Sequence, residues 1–354
     1  SPYMFYLGPL SIGGSISKEV HRWQIASDAI ETRTAWLSST QTTNSTNLNS
    51  DTAYALSWST STVDGVYFTH STGSNPERLT VKVAGDYFLS LTVPMQSSDA
   101  HVAVETLIKI NGSAYQGGVS RSSYVSASGG QNESSNHAAL LLENLSANDY
   151  VEVYTKRIGA AGTVLVKDSA SIHLEYISDT GKNVVAAVAT TTVNSSNFNT
   201  ATQYGLKWSS SRVDAGFSHN NSASSQNITL QNASLYYVSV NVPIEGDASN
   251  QSVGVHIMLD GNEVLGGGAR QGYISNQSGH SSASVHWSGF VYTTSTNRSL
   301  SIEVGQDAAA GTVTVLSGQK ASMFAQKLQT TSIFAARGST INATPSTDWN
   351  PSAT

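Results

Sequence analysis

The feature that most constrains this chain is an internal repeat. Tyr54-Ala55-Leu56-Ser57-Trp58 returns as Tyr204-Gly205-Leu206-Lys207-Trp208, and Val63-Asp64 returns as Val213-Asp214, at an offset of 150 residues. Phe68-Thr69-His70 recurs as Phe217-Ser218-His219, and the segment Tyr87 to Pro94 as Tyr236 to Pro243, now at an offset of 149. Ile108-Lys109-Ile110-Asn111-Gly112 and Ala161-Gly162-Thr163-Val164 find their partners in Ile257-Met258-Leu259-Asp260-Gly261 and Ala310-Gly311-Thr312-Val313. A collinear series of this kind marks a duplicated unit, so any fold proposed for one half has to serve the other. The 354 residues are enough for two domains of about 150 residues, each burying its own core.

The periodicity within each unit is that of strands. In Tyr87-Phe88-Leu89-Ser90-Leu91-Thr92-Val93 the apolar residues 87, 89, 91 and 93 share one face. Val102, Val104, Thr106, Ile108 and Ile110 repeat the pattern and stop at Asn111-Gly112, a hairpin-turn dipeptide whose place is taken by Asp260-Gly261 in the second copy. Pro94 and Pro243 are expected to end their strands. No window carries a sustained 3.6-residue stripe, so the expectation is an all-β chain with very little helix, in which short strands build a sandwich or barrel.

Composition excludes several classes of function. Only 12% of residues are charged, the formal net charge is −6, and no Lys/Arg cluster is present to neutralise a run of phosphates, so no nucleic-acid partner is expected. The absence of cysteine rules out disulfide frameworks and Cys-ligated zinc. No apolar run approaches the ~20 residues of a membrane helix, and Ser1-Pro2 does not open a signal peptide.

No constellation announces catalysis. A Gly-x-Ser-x-Gly elbow and a phosphate-binding Gly-x-x-x-x-Gly-Lys-Ser/Thr loop are both missing, and Gly266-Gly267-Gly268 reads as a flexible turn. His70 and His219, like His137 and His286, occupy equivalent places, which points to structure; no two histidines stand at i, i+2 or i, i+4. Asp99 and Asp247 fall in comparable loops where oxygen ligands for Ca²⁺ would sit, but neither loop has the dense Asp/Asn alternation of a calcium site, so solvated loop acids are expected. The expectation is no catalytic, cofactor-binding or metal residues, and not an enzyme. Asn-x-Ser/Thr sequons at Asn44, Asn111, Asn132, Asn144, Asn227, Asn232 and Asn297 follow from the Asn-, Ser- and Thr-rich composition. The polar–aromatic pairs Arg121/Tyr124 and Arg270/Tyr273 are the candidate interface residues, since Arg and Tyr anchor interfaces well; the alternative is a stacked pair that covers the edge of the sandwich.

Gly85-Asp86-Tyr87-Phe88, Lys109-Ile110-Asn111-Gly112 and Leu145-Ser146-Ala147-Asn148-Asp149-Tyr150-Val151-Glu152-Val153 together resemble the C1q/TNF-like jelly roll over nearly all of each unit. The second copy departs from that pattern at Ser234-Leu235 and Thr296-Asn297-Arg298-Ser299. The Ser/Thr/Asn-rich opening through Thr43 to Asn49 resembles tandem structural repeats of marine phage virions and bacterial surface proteins.

The resemblance implies two tandem antiparallel jelly-roll sandwiches, over residues 36–178 and 179–330. Residues 1–35 then form an N-terminal arm or the end of a preceding repeat. Thr340-Ile341-Asn342-Ala343 matches the repeat openings Thr42-Thr43-Asn44-Ser45 and Thr192-Val193-Asn194-Ser195, which makes 331–354 a linker or the start of a third repeat. The missing initiator Met points to a processed or partial chain, and the repeat-like ends to a segment of a longer array. The expected function is a structural or assembly protein of a virion surface (capsid, decoration or fibre) or an extracellular filament. Its expected partners are other copies, as a trimer implied by the resemblance, and neighbouring structural subunits. The alternative is a bacterial cell-surface adhesin or carbohydrate-binding module recognising surface glycans.

Overall fold

The computed structural model describes residues 33–328 apart from 101, 122–124, 126, 128–131, 160, 178–183, 191–192, 201, 250, 271–273, 277–279 and 309–310. Among the described residues there is no helix. The first half supplies β1 (Thr34–Ser39), β2 (Tyr54–Ala55), β3 (Thr60–Val63), β4 (Phe68–Thr69), β5 (Leu79–Val81), β6 (Gly85–Ser97), β7 (Val104–Ile110), β8 (Ser113–Arg121), β9 (Glu133–Leu145), β10 (Tyr150–Arg157), β11 (Val164–Val166) and β12 (Ala170–Ile177). The second supplies β13 (Val184–Thr190), β14 (Tyr204–Gly205), β15 (Ser210–Val213), β16 (Phe217–His219), β17 (Asn227–Leu230), β18 (Leu235–Gly246), β19 (Ser252–Leu259), β20 (Asn262–Arg270), β21 (Ser282–Tyr292), β22 (Arg298–Ala308), β23 (Val313–Val315) and β24 (Lys320–Lys327).

In the first half β1 pairs with β12, β5 with β10, β6 with β9 and β7 with β8, all antiparallel. First with last and so inward is the nesting of a long hairpin rolled across two sheets, the jelly roll. Pairs β6–β12 and β7–β10 complete its two sheets. The second half repeats this pattern in β13–β24, β17–β22, β18–β21 and β19–β20, completed by β18–β24 and β19–β22. Each half is thus a sandwich with its own core. Tyr87, Leu89, Leu91, Val93 and Met95 point inward along β6, as Tyr236, Val238, Val240, Val242 and Ile244 do along β18. Trp58 and Trp208, the largest buried side chains, occupy matching places in the two cores. Burying such side chains contributes roughly 1.5–3 kcal/mol each.

The β7–β8 hairpin turns on Asn111 and Gly112, with φ of 51° and 78°, and the β19–β20 hairpin on Asp260 and Gly261, with φ of 48° and 76°. Two successive left-handed residues give the turn whose twist suits antiparallel strands. The Asn-rich repeat openings also have a structural purpose. Asn44 is fully buried and clasps the backbone of Ser57, its Nδ2 donating to the carbonyl and its Oδ1 accepting from the amide, both at 2.9 Å. Asn194 clasps Lys207 in the same way, at 2.9 and 2.8 Å. A buried Asn44 leaves no room for a glycan at that sequon.

Two expectations need correction. Pro94 and Pro243 do not end their strands: β6 continues to Ser97 and β18 to Gly246. β12 pairs with β6 as far as Thr92 and β11 takes over at Met95, so Pro94 falls at the changeover, where its missing N–H breaks no ladder. Pro243 lies in the same gap between β24 and β23. Gly266-Gly267-Gly268 is not a turn but the middle of β20, where the β19–β20 register shifts and Gly266 has φ 78°. A single left-handed glycine there makes a bulge that re-aims the strand.

Candidate functional site: the seam between the sandwiches

β8 is the last strand of its sheet, so one row of its backbone polar groups has no strand partner. The second sandwich covers it. Strands β8 and β9 lie on the outer face of β18, β21 and β24, and side chains of that face supply the missing donors. Asn241 Nδ2 donates to the Val119 carbonyl at 2.8 Å, Ser322 Oγ to Gly117 at 3.2 Å and Ser239 Oγ to Ala139 at 3.2 Å. Asn241, Ser239 and Ser322 are buried by this contact. The bulge at Gly117, φ 80°, brings the strand so close that a Cβ there would lie 3.0 Å from Ser322 Cβ.

An apolar cluster forms the centre of the seam. Phe88, Ala139, Leu141 and Ile177 of one half meet Val184 and Phe324 of the other. The Phe88 ring stacks on Phe324 at 4.8 Å and meets Tyr237 edge-on at 5.5 Å. Such pairs add about 0.5–1.5 kcal/mol to what burial alone contributes. On the flank, Arg212 of the second half forms an ion pair with Asp86, buried at the start of β6.

His137 and His286, equivalent positions in the two halves, stack at 6.0 Å between ring centroids. Burial and the neighbouring His137 push the His286 pKa down to about 4, and burial also lowers His137. Both rings are therefore neutral near pH 7. Beside the cluster a cleft of about 410 Å³ remains, lined by Tyr115, Leu141, Glu143, Ala186 and Arg212. Tyr115 is pushed up to about 12 by burial, and its hydroxyl is already engaged, donating to the Leu141 carbonyl at 3.1 Å and accepting from the Glu143 amide at 2.9 Å. That environment stabilises the neutral phenol, which is no nucleophile.

The candidate interface residues divide between these surroundings. Arg121, at the end of β8, donates twice to Glu105 Oε2, at 2.9 and 2.7 Å, and once to Ser282 Oγ at 2.7 Å across the seam, while its amide donates to Ser284 Oγ at 2.9 Å. Arg270 ends β20, exposed, on the free edge of the second sandwich. Tyr124 and Tyr273 lie outside the described residues. His70 and His219 each place Nε2 against a loop carbonyl, Pro76 at 3.0 Å and Ser225 at 2.9 Å. Asp99 and Asp247 accept from the amides of Thr163 and Thr312, at 2.9 and 2.6 Å, and these hydrogen bonds hold both carboxyls below their ordinary pKa. Among the described residues no three His, Asp or Glu side chains gather as metal ligands.

Sequence reasoning missed most of the seam, including Phe88, Asp86, Arg212, Ser239, Asn241, Ser322 and Phe324. A signal was present in Tyr87-Phe88-Leu89 and Met323-Phe324-Ala325, where unbroken apolar runs replace alternation. A strand apolar on both sides is covered on both sides.

No family model matches the chain, and no curated protein does. Among solved structures it is similar to murine APRIL, at 10% identity and a TM-score of 0.28 over 41% of this chain and 98% of that one. It is similar to infectious bursal disease virus of the Gx strain at 12% identity and a TM-score of 0.22, over 83% of this chain and 71% of that one. A structure of the T13 particle of the same virus gives 13% identity and a TM-score of 0.23, over 84% and 66%. These likenesses concern the fold alone, and the strand pairing above assigns the jelly roll independently of them.

Proposed function

We propose that this chain is a non-enzymatic structural protein whose jelly rolls, repeats of one duplicated unit over 36–178 and 179–330, associate side by side as part of a virion surface or an extracellular filament, with threefold grouping as the closed form. The observation that carries this reading is the seam. One sandwich presents the edge strands β8 and β9, and the next presents a face whose Asn and Ser side chains bond backbone carbonyls of both. Such a device joins folded units to one another and leaves nothing to transform. Arg121, which reaches Ser282 across the seam, acts as an interface anchor in this reading.

The test is light scattering on the purified chain over micromolar concentrations, with trimers expected and a persistent monomer counting against self-association. A second reading, an adhesin or carbohydrate-binding module, draws on Trp36. It is 47% exposed on a sheet face, opposite His173 on the neighbouring strand. A glycan array decides it: selective binding lost on Trp36→Ala favours the adhesin, and a blank array favours the structural protein.

A further inference from the structure

The sheets that hold β10 and β22 are the same surface finished in two ways. Leu300, Ile302 and Val304 of β22 enter the core, so Ser299, Ser301 and Glu303 face outward. Glu303 pairs with Gly205 on β14 as Tyr154 pairs with Ala55 on β2, so by register Ser301 stands for Glu152 and Ser299 for Tyr150. Asn227, which pairs with Ser301, stands for Arg78, and Met258 stands for Lys109.

In the first sandwich the side chains at these positions close on one another. The Arg78 guanidinium lies 4.3 Å from the ring centroid of Tyr150, and its Nε donates to Glu152 at 3.0 Å. Lys109 Nζ lies 3.7 Å from the ring centroid of Tyr154, and Glu152 is buried. In the second sandwich the tyrosine, the acid and the arginine are replaced by Ser299, Ser301 and Asn227. A groove of about 500 Å³ takes their place, within the range of small-molecule sites. Gln226 and Asn227 line it, together with Asp260 of the β19–β20 turn. A Cβ on Gly205 would lie 3.3 Å from Gln226, so the glycine, which replaces Ala55, gives that side chain its room. Tyr204, its ring packed on Phe198 at 5.3 Å, and Lys207 complete the lining.

The lining selects a class of ligand. Among the described residues, the side chains of Lys207, Gln226, Asn227, Ser299, Ser301 and Glu303 have no hydrogen-bond or ion-pair partner. Lys207 and Glu303 balance in charge, and Asp260 is paired with Arg298, so the groove has no excess charge to draw a phosphate or a polycation. No aliphatic side chain lines it, which disfavours a lipid or an apolar anchor. Hydroxyl and amide groups that both donate and accept suit a ligand whose own groups do both, as the hydroxyls of a neutral sugar do.

We propose that this groove of the second sandwich binds a neutral oligosaccharide, with Glu303 and Asn227 bonding its hydroxyls. The proposal rests on the glycan-binding reading above but places the contact in this groove instead of at Trp36. The test is isothermal titration calorimetry of the full chain with neutral trisaccharides of glucose, galactose, mannose and N-acetylglucosamine. It includes Ser299→Tyr, which restores the residue of the first copy, and Glu303→Gln, each checked for unaltered circular dichroism. At least one trisaccharide is expected to bind saturably. Ser299→Tyr should abolish that binding, and Glu303→Gln should weaken it roughly tenfold, the loss of a hydrogen bond to a charged group. If a trisaccharide binds both variants undiminished, the groove is the wrong place while the glycan-binding reading stands. If none binds the unaltered chain, the groove and that reading both fail.

Discussion

Strands β8 and β20 are the same element in two situations. Both begin after a left-handed two-residue turn, both bulge at a glycine, with φ 80° at Gly117 and 78° at Gly266, and both end in an arginine. The second half of β8, from Gly117 to Ser120, is buried against the second sandwich, whereas Gly266 and Gly268, at the matching places in β20, are exposed. The comparison teaches that the bulged edge is a property of the unit, while its burial depends on what the facing sheet offers. The faces differ accordingly: Phe324 lies where the open face has His173, and Asn241 where it has Thr92.

The largest effect should come from breaking the closed seam at its centre. Phe324→Ala is expected to cost about 3–5 kcal/mol in denaturant unfolding, because the stacked Phe88 loses its partner in a packed cluster. His173→Ala, the matching change on the open face, should stay within about 1 kcal/mol. Equal losses would mean that the two faces do not differ as described.

A somewhat smaller effect should follow from acid. His286 binds its proton only near pH 4 in the folded chain, against about 6.5 when unfolded, so the unfolded state takes up the proton first as the pH falls. Stability is therefore expected to decline from about pH 6.5 to about pH 4, by up to about 3 kcal/mol, and then to become insensitive to this group. Thermal melts of the wild type and His286→Gln across that window check it: the variant should show a flatter decline, and an unchanged slope would place the acid sensitivity elsewhere.

The finest discrimination lies in the two glycines. Gly117→Ala adds a Cβ 3.0 Å from Ser322 Cβ to an unfavourable φ, and should cost about 1–3 kcal/mol. At Gly266 a Cβ meets nothing within 4 Å, so only the backbone strain of about 1 kcal/mol remains. If Gly266→Ala proves the costlier change in melting experiments, the open edge is already covered in solution.

What was legible in the sequence was whatever depends on neighbours along the chain. Alternation from Tyr87 to Val93 specified an inward row, and Asn111-Gly112 specified the hairpin. Pro94 misled because a proline ends pairing on one side only, and the changeover from β12 to β11 is invisible without the sheet. Gly266-Gly267-Gly268 misled because glycine marks bulges as readily as turns. The seam was mostly hidden for another reason. Its polar members, Ser239, Asn241 and Ser322, look like ordinary outward residues of a half-solvated sheet, and only packing against another sandwich gives them partners.

The three acceptors that those side chains bond are main-chain oxygens, of Gly117, Val119 and Ala139. A carbonyl cannot be lost by substitution. The edge side of such a joint is therefore free to drift in identity provided the strand keeps its path, and the burden of specificity falls on the donors across from it. Relatives of this chain should accordingly vary along the edge and hold their hydroxyl and amide residues on the face, a pattern by which the direction of stacking can be read from an alignment of one unit against the next.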